Sequence, residues 1–226
     1  MKVSIFPNLL AVDKKNISSV VDELINFRVN HVHFDVMDKK FVGHSALKIN
    51  DFKKIKDKKI KYDIHLMVDN PREYAKKFID LGAKTIIFHY ESFVSKIPIA
   101  KFISNLHLLN VKVGIAFKFE TSIKSIKESF FFIRMADFVL IMAKNNKQKF
   151  DKKILKKIKI CFDYIKQNNL KTLIEVEGGI NEKTCLECCK NGAKILVVGS
   201  YLFKNEDEIK ERYKKIISEC NKIIIL

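Results

Sequence analysis

His31-Val32-His33-Phe34-Asp35-Val36-Met37-Asp38 alternates side chains with the two-residue period of a strand. Val32, Phe34 and Val36 therefore share one face, and His31, His33 and Asp35 share the other. The apolar face is suited to pack under helices, which leaves the polar face for chemistry. Upstream, Ile17, Val20, Val21, Leu24 and Ile25 recur at helical spacing. Downstream the next strand candidate is Lys61–Leu66, followed by a second amphipathic stretch through Tyr74, Phe78, Ile79 and Leu81.

The same alternation runs the length of the chain. Further strand candidates are Val3–Phe6, Thr85–Tyr90, Val111–Phe117, Phe138–Met142, Thr172–Val176 and Ile195–Val198, and a last amphipathic helix carries Ile209, Tyr213, Ile216 and Ile217. Asp80-Leu81-Gly82-Ala83-Lys84 and Lys190-Asn191-Gly192-Ala193-Lys194 each read as a helix ending on a left-handed glycine and turning into a strand. Strand-helix alternation implies right-handed βαβ units and a parallel sheet. Eight such units in 226 residues predict a compact (β/α)8 TIM barrel. No linker or low-complexity block divides the chain, so residues 1–226 are expected to form one domain; an open doubly wound sheet is the alternative.

Composition bounds the rest. With 47% hydrophobic residues the chain can bury a core without disulfides or a structural metal, which excludes disorder as its dominant state. No apolar run approaches the ~20 residues that span a bilayer, and the opening MKVSIFPNLL lacks a signal peptide's apolar core, so a cytoplasmic protein without membrane partners is expected. Five cysteines are an odd count with no framework spacing, which suits reduced thiols. Cys185, Cys188 and Cys189 lack a second ligand pair and read as small apolar residues on a helix rather than half a zinc site. The net charge of +17 is spread along the chain. Lys152, Lys153, Lys156 and Lys157 lie around Ile154, Leu155 and Ile158 as on a solvated helix face, not as in the clustered footprint of a nucleic-acid binder.

In a barrel of this kind the chemistry lies at the carboxyl ends of the strands. By parity His33 and Asp35 share a face of the second strand, Asp63, His65 and Met67 a face of the third, and Glu175 and Glu177 a face of the seventh. His33, Asp35, His65 and Glu177 can then converge as ligands of one divalent cation, for which imidazole and carboxylate suit Zn, Fe or Mn. His89 and Glu91 end the fourth strand with no partner evident and read as structural or supporting. Gly178 and Gly179 after the seventh strand, with Gly199 and Ser200 after the eighth, stand where this fold usually cradles a phosphate. Three of only seven glycines fall there, although tight turns would also want them.

Read together, these segments resemble the ribulose-phosphate 3-epimerase family from Val3 to about Phe203. The carrying motifs are Ile5 to Asp13, His33-Phe34-Asp35-Val36-Met37-Asp38, His65-Leu66-Met67-Val68-Asp69-Asn70-Pro71, Phe88-His89-Tyr90-Glu91, Leu140-Ile141-Met142, Glu175-Val176-Glu177-Gly178-Gly179-Ile180 and Val198-Gly199-Ser200. Orotidine monophosphate decarboxylase, a sister barrel, carries D-x-K-x-x-D where this chain has H-x-D-x-x-D. The resemblance implies a metal on His33, Asp35, His65 and Glu177. It implies epimerisation at C3 of a phosphorylated pentulose, ribulose 5-phosphate, through an enediolate. Asp35 and Glu177 would be the paired acid and base, and Met37, Met67 and Met142 an apolar floor.

The departures from the family are informative. Glu177 stands where the family has Asp, one methylene longer, and Asn8 stands where it has Ser, still able to donate to a sugar hydroxyl. The glycine-rich phosphate loop after the sixth strand is replaced by Met142-Ala143-Lys144-Asn145-Asn146-Lys147-Gln148-Lys149-Phe150, in which Lys144 or Lys147 would supply charge. Two other readings stay open: an epimerase or isomerase of a different sugar phosphate, and a barrel that has lost catalysis and persists as a binding protein. An assembly of identical chains is also left open, because helix faces toward a partner cannot be separated from those toward the barrel.

Overall fold

The computed structural model describes residues 3–43, 46–144 and 149–222. Strands and helices alternate: β1 (Ser4–Pro7), α1 (Ile17–Asn26), β2 (His31–Met37), α2 (Lys39–Val42), α3 (Ile49–Lys53), β3 (Lys61–Met67), α4 (Pro71–Ile79), β4 (Thr85–His89), α5 (Ile97–Leu108), β5 (Lys112–Phe117), α6 (Ile123–Glu128), α7 (Phe130–Met135), β6 (Phe138–Met142), α8 (Ile154–Gln167), β7 (Leu173–Glu177), α9 (Glu182–Lys190), β8 (Ile195–Val198) and α10 (Ile209–Asn221). The eight strands form one sheet in the order β1-β8-β7-β6-β5-β4-β3-β2, and the fold is a (β/α)8 TIM barrel. The doubly wound alternative is thereby excluded. The chain divides into two compact units, Pro7–Gly114 and Met1–Phe6 with Ile115–Leu226.

Within Pro7–Gly114, β2 and β3 run parallel in the register Asp35↔His65 and Met37↔Met67, and β3 pairs β4 with His65↔Ile87. Val32, Phe34 and Val36 are buried on the helix side, as their parity predicts. There Phe34 meets Phe52 of α3 (ring centroids 5.5 Å) and Phe78 of α4 (6.1 Å), while Phe52 also meets Phe78 (5.3 Å) and Tyr62 of β3 (5.2 Å). This cluster binds two strands to the helices that follow them, through area burial and edge-to-face ring contacts. Helix α4 begins where Pro71 fills its first turn and Asn70 accepts from the Glu73 N–H.

Within the other unit, β6 pairs β7 with Leu140↔Glu175 and Met142↔Glu177, and β7 pairs β8 with Glu177↔Val197. Both repeated helix ends carry the expected left-handed glycine, Gly82 at φ 95° and Gly192 at φ 114°. The five cysteines are free and buried. Cys185, Cys188 and Cys189 lie on α9, where burial pushes the Cys188 thiol up, consistent with inert packing.

One expectation is corrected. Lys157 does not lie on a solvated face: only 8% of it is exposed, and its Nζ donates to the Phe119 carbonyl below the Phe119 ring. Helical spacing placed it one position round from Lys156, which is exposed, and the long lysine stem reaches a backbone acceptor at the end of the β5 segment. Among the described residues no helix is long and apolar enough to cross a membrane.

Candidate active site

The Asp35 carboxylate is the centre of the polar cluster within Pro7–Gly114. It is fully buried, as are His33 and His65. His65 Nδ1 lies 2.9 Å and His33 Nε2 3.2 Å from Asp35 Oδ1, and Asn8 Nδ2 donates to Asp35 Oδ2 at 2.7 Å. The β2–β3 register sets His65 beside Asp35, and a parallel bridge between Asn8 and His33 brings in the first strand motif. Burial alone would hold a carboxyl neutral, but the hydrogen bonds and charge of His33 and His65 outweigh it and hold Asp35 well below the usual carboxylate range. An ionised carboxylate in a dry site is costly unless partnered, and two imidazoles supply the partners.

His33, Asp35 and His65 can each offer one ligand atom, and these atoms lie within 4.8 Å of one another. Two imidazoles and one anionic oxygen form a donor set suited to a transition-metal dication. Met67 is buried and Met37 half-buried at the paired strand ends beyond them. Asn8 is already committed: its Nδ2 donates to Asp35 and its Oδ1 accepts from the Leu10 N–H at 2.8 Å.

The second acidic residue of H-x-D-x-x-D has a different task. Asp38 caps α2 by accepting from the Phe41 N–H at 2.7 Å, and its other oxygen accepts from the Asp69 N–H at 2.9 Å. It thus fixes the backbone beyond β2 against that beyond β3.

On the other unit, Glu177 ends β7 with 7% exposure, and Met142 ends β6 directly beside it in register. Gly178 and Gly179 follow at φ 109° and 68°. A Cβ on Gly178 would meet the Lys144 N at 2.9 Å, and one on Gly179 the Phe150 N at 3.0 Å. Residues 144 and 150 bridge antiparallel above them, so both glycines are required by the approach of that segment's backbone. Lys144 is half-buried there; Lys147 lies outside the described residues. Gly199 accepts from the Leu202 N–H at 2.8 Å in a turn after β8, and Ser200 is exposed.

His89 and Glu91, read from the sequence as lacking a partner, have one: His65 Nε2 lies 2.9 Å from His89 Nε2, and His89 Nδ1 lies 3.0 Å from Glu91 Oε2. The His-x-Glu spacing was visible in the sequence, but the histidine-to-histidine contact was not.

Buried imidazole and carboxylate groups gathered at strand ends of this fold define a (β/α)8 enzyme. Known proteins narrow the class. Residues 4–203 match the model of the Ribulose-phosphate 3 epimerase family, and the chain belongs to that family, an isomerase class of enzyme. It is 31% identical to the ribulose-phosphate 3-epimerase of Aquifex aeolicus (strain VF5), covering 94% of each chain. It is likewise 31% identical to that of Chlamydia muridarum, covering 95% of this chain and 94% of the relative. Solved structures agree on the fold: 3-hexulose-6-phosphate synthase from Salmonella typhimurium superposes with a TM-score of 0.71 at 15% identity, covering 97% and 99% of the two chains. Orotidine 5'-phosphate decarboxylase from Pyrococcus horikoshii OT3 gives 0.67 at 13%, covering 96% and 99%.

Proposed function

We propose that this chain, as a single barrel domain, interconverts D-ribulose 5-phosphate and D-xylulose 5-phosphate by inverting C3, a step of the pentose phosphate pathway. The observation that carries the reading is Asp35, a carboxylate kept ionised in a fully buried position between His33 and His65 at the end of β2. A family membership with coverage of nearly the whole chain supports the substrate class. Five buried free thiols support a reducing, cytoplasmic compartment.

Inversion needs one proton-transfer group on each face of C3. Asp35 takes the C3 proton, the C–H pair moves into an enediolate across C2 and C3, and the Glu177 carboxylic acid returns a proton to the opposite face; in the reverse direction the roles exchange. Asp35, held below the usual carboxylate range by His33 and His65, is a weak base, so the substrate proton must be acidified. That is the chemistry a Zn, Fe or Mn ion would supply if held by His33, Asp35, His65 and Glu177, by stabilising the developing negative charge. Met37, Met67 and Met142 exclude water from the enediolate. Gly178, Gly179, Gly199 and Ser200 receive the phosphate, with Lys144 adding charge. Asn8, whose amide donates to Asp35, would contact a sugar hydroxyl beside that carboxylate.

The test is exchange of the C3 proton of ribulose 5-phosphate in deuterated water, followed by NMR on protein loaded with Fe²⁺, Zn²⁺ or Mn²⁺. Exchange with conversion to xylulose 5-phosphate is expected, with a loss of at least about 10²-fold in Glu177→Gln. No exchange with any of the three metals would discard the ribulose phosphate reading. Purified wild-type protein is further expected to carry stoichiometric Zn, Fe or Mn by elemental analysis; its absence after metal reconstitution would count against both the metal site and the enzyme reading.

A further inference from the structure

The four side chains Asp35, His65, His89 and Glu91 form a continuous line within Pro7–Gly114. The separations along it are 2.9 Å from Asp35 Oδ1 to His65 Nδ1, 2.9 Å from His65 Nε2 to His89 Nε2, and 3.0 Å from His89 Nδ1 to Glu91 Oε2. The His65 and His89 rings are 23° from parallel with centroids 5.0 Å apart, so a nitrogen separation of 2.9 Å puts them edge to edge, sharing a hydrogen bond. His89 is buried at the end of β4, with the Phe41 ring 5.0 Å from it. The turn bearing Glu91 is pinned, because Ser92 Oγ donates to the Val68 carbonyl at 2.7 Å and Lys96 Nζ to the Tyr90 carbonyl at 2.8 Å.

The chemistry of these groups gives the line a direction. An ionised carboxylate only accepts, so Glu91 places a hydrogen on His89 Nδ1. The lone pair of neutral His89 is then on Nε2, and the hydrogen shared between the two rings belongs to His65 Nε2. The lone pair of neutral His65 is therefore on Nδ1, facing Asp35. Without a metal, a hydrogen on His65 Nδ1 donates to Asp35 across the 2.9 Å; neutral His65 in this tautomer turns a lone pair to Asp35 instead, and a bound cation would supply the positive charge that the hydrogen gave up.

We propose that His89 and Glu91 are positioning residues: Glu91, through His89, fixes the Nε2–H tautomer of His65 and presents its Nδ1 to the metal. The inference rests on the metal reading given above. Outer partners of this kind set ligand orientation and basicity, and their loss typically costs about 10- to 100-fold in metal affinity.

The test uses the full chain labelled with ¹⁵N-histidine and loaded with Zn²⁺, with tautomers read from long-range ¹H–¹⁵N correlations and zinc affinity from chelator competition. Wild type is expected to show His65 metal-bound through Nδ1 with hydrogen on Nε2, and His89 with hydrogen on Nδ1. Folded Glu91→Ala is expected to populate the other His89 tautomer and to bind zinc about 10- to 100-fold more weakly, as is His89→Phe. A wild-type spectrum with hydrogen on His89 Nε2 or with His65 bound through Nε2 overturns the proposal, and this arm needs no variant to fold. Unchanged zinc affinity in folded Glu91→Ala overturns it equally. Wild type that takes up no zinc overturns the metal reading itself, and that failure is seen before any variant is made.

Discussion

Asp35→Asn is expected to lower kcat for ribulose 5-phosphate epimerisation by about 10⁴-fold, the upper end of what one acid-base group contributes. Asparagine matches the shape and loses both functions argued for this side chain, taking a proton and offering an anionic ligand oxygen. It also reverses a contact: Asp35 Oδ2 accepts from Asn8 Nδ2 at 2.7 Å, and an amide there must either flip or set donor against donor. Because the folded pKa is depressed, the stability that ionised Asp35 contributes is fully present above the ordinary carboxylate range and is lost only as pH falls through the lower folded value. Asp35 thus stays ionised across the whole working range, and the variant removes a charge that is always there. A coupled assay for xylulose 5-phosphate at saturating metal measures the loss, with circular dichroism confirming the fold. Retention of kcat within about tenfold of wild type would remove Asp35 from the chemistry.

The same residue shows how much could be read from the chain alone. The His33–Asp35 and His65 parities needed only the two-residue strand period, and the β2–β3 register then delivered the contact between them. The eight strands were legible for the same reason, with ends displaced by a residue or so, as at β4, which stops at His89 rather than Tyr90. Glu177 and its glycines were legible as a strand end followed by a turn. What demands Gly178 and Gly179 was not, because it is the backbone at 144 and 150 crossing above them. His89 was unreadable as a partner of His65 since their contact spans 24 residues and depends on ring orientation. Lys157 misled because periodicity reports direction around a helix and says nothing of an acceptor waiting at Phe119. Asn8 was read as a donor to a sugar hydroxyl, and the fold commits its amide to Asp35.

Phe52→Ala is expected to cost about 3–5 kcal/mol of stability, a large share of the 5–15 kcal/mol that holds a typical domain. Phe52 is fully buried on the short helix α3, which has only five residues and too few internal hydrogen bonds to persist alone. What holds α3 is its ring, in contact with Phe34, Tyr62 and Phe78 at centroid distances of 5.2 to 5.5 Å. Alanine removes three ring contacts and leaves a cavity that β2, β3 and α4 are too closely packed to fill. Tyr62 is held on its other side, where its hydroxyl donates to the Ile55 carbonyl, so it cannot swing into the gap without leaving that acceptor. Thermal unfolding should fall by on the order of 10 °C, and Phe52→Leu, which restores most of the volume, should lose roughly half as much or less. The consequence reaches the site because Phe34 lies between His33 and Asp35 on the same strand, with its ring anchoring the opposite face. A variant destabilised by less than about 1 kcal/mol would mean that α3 is held by its capping contacts and not by this aromatic cluster.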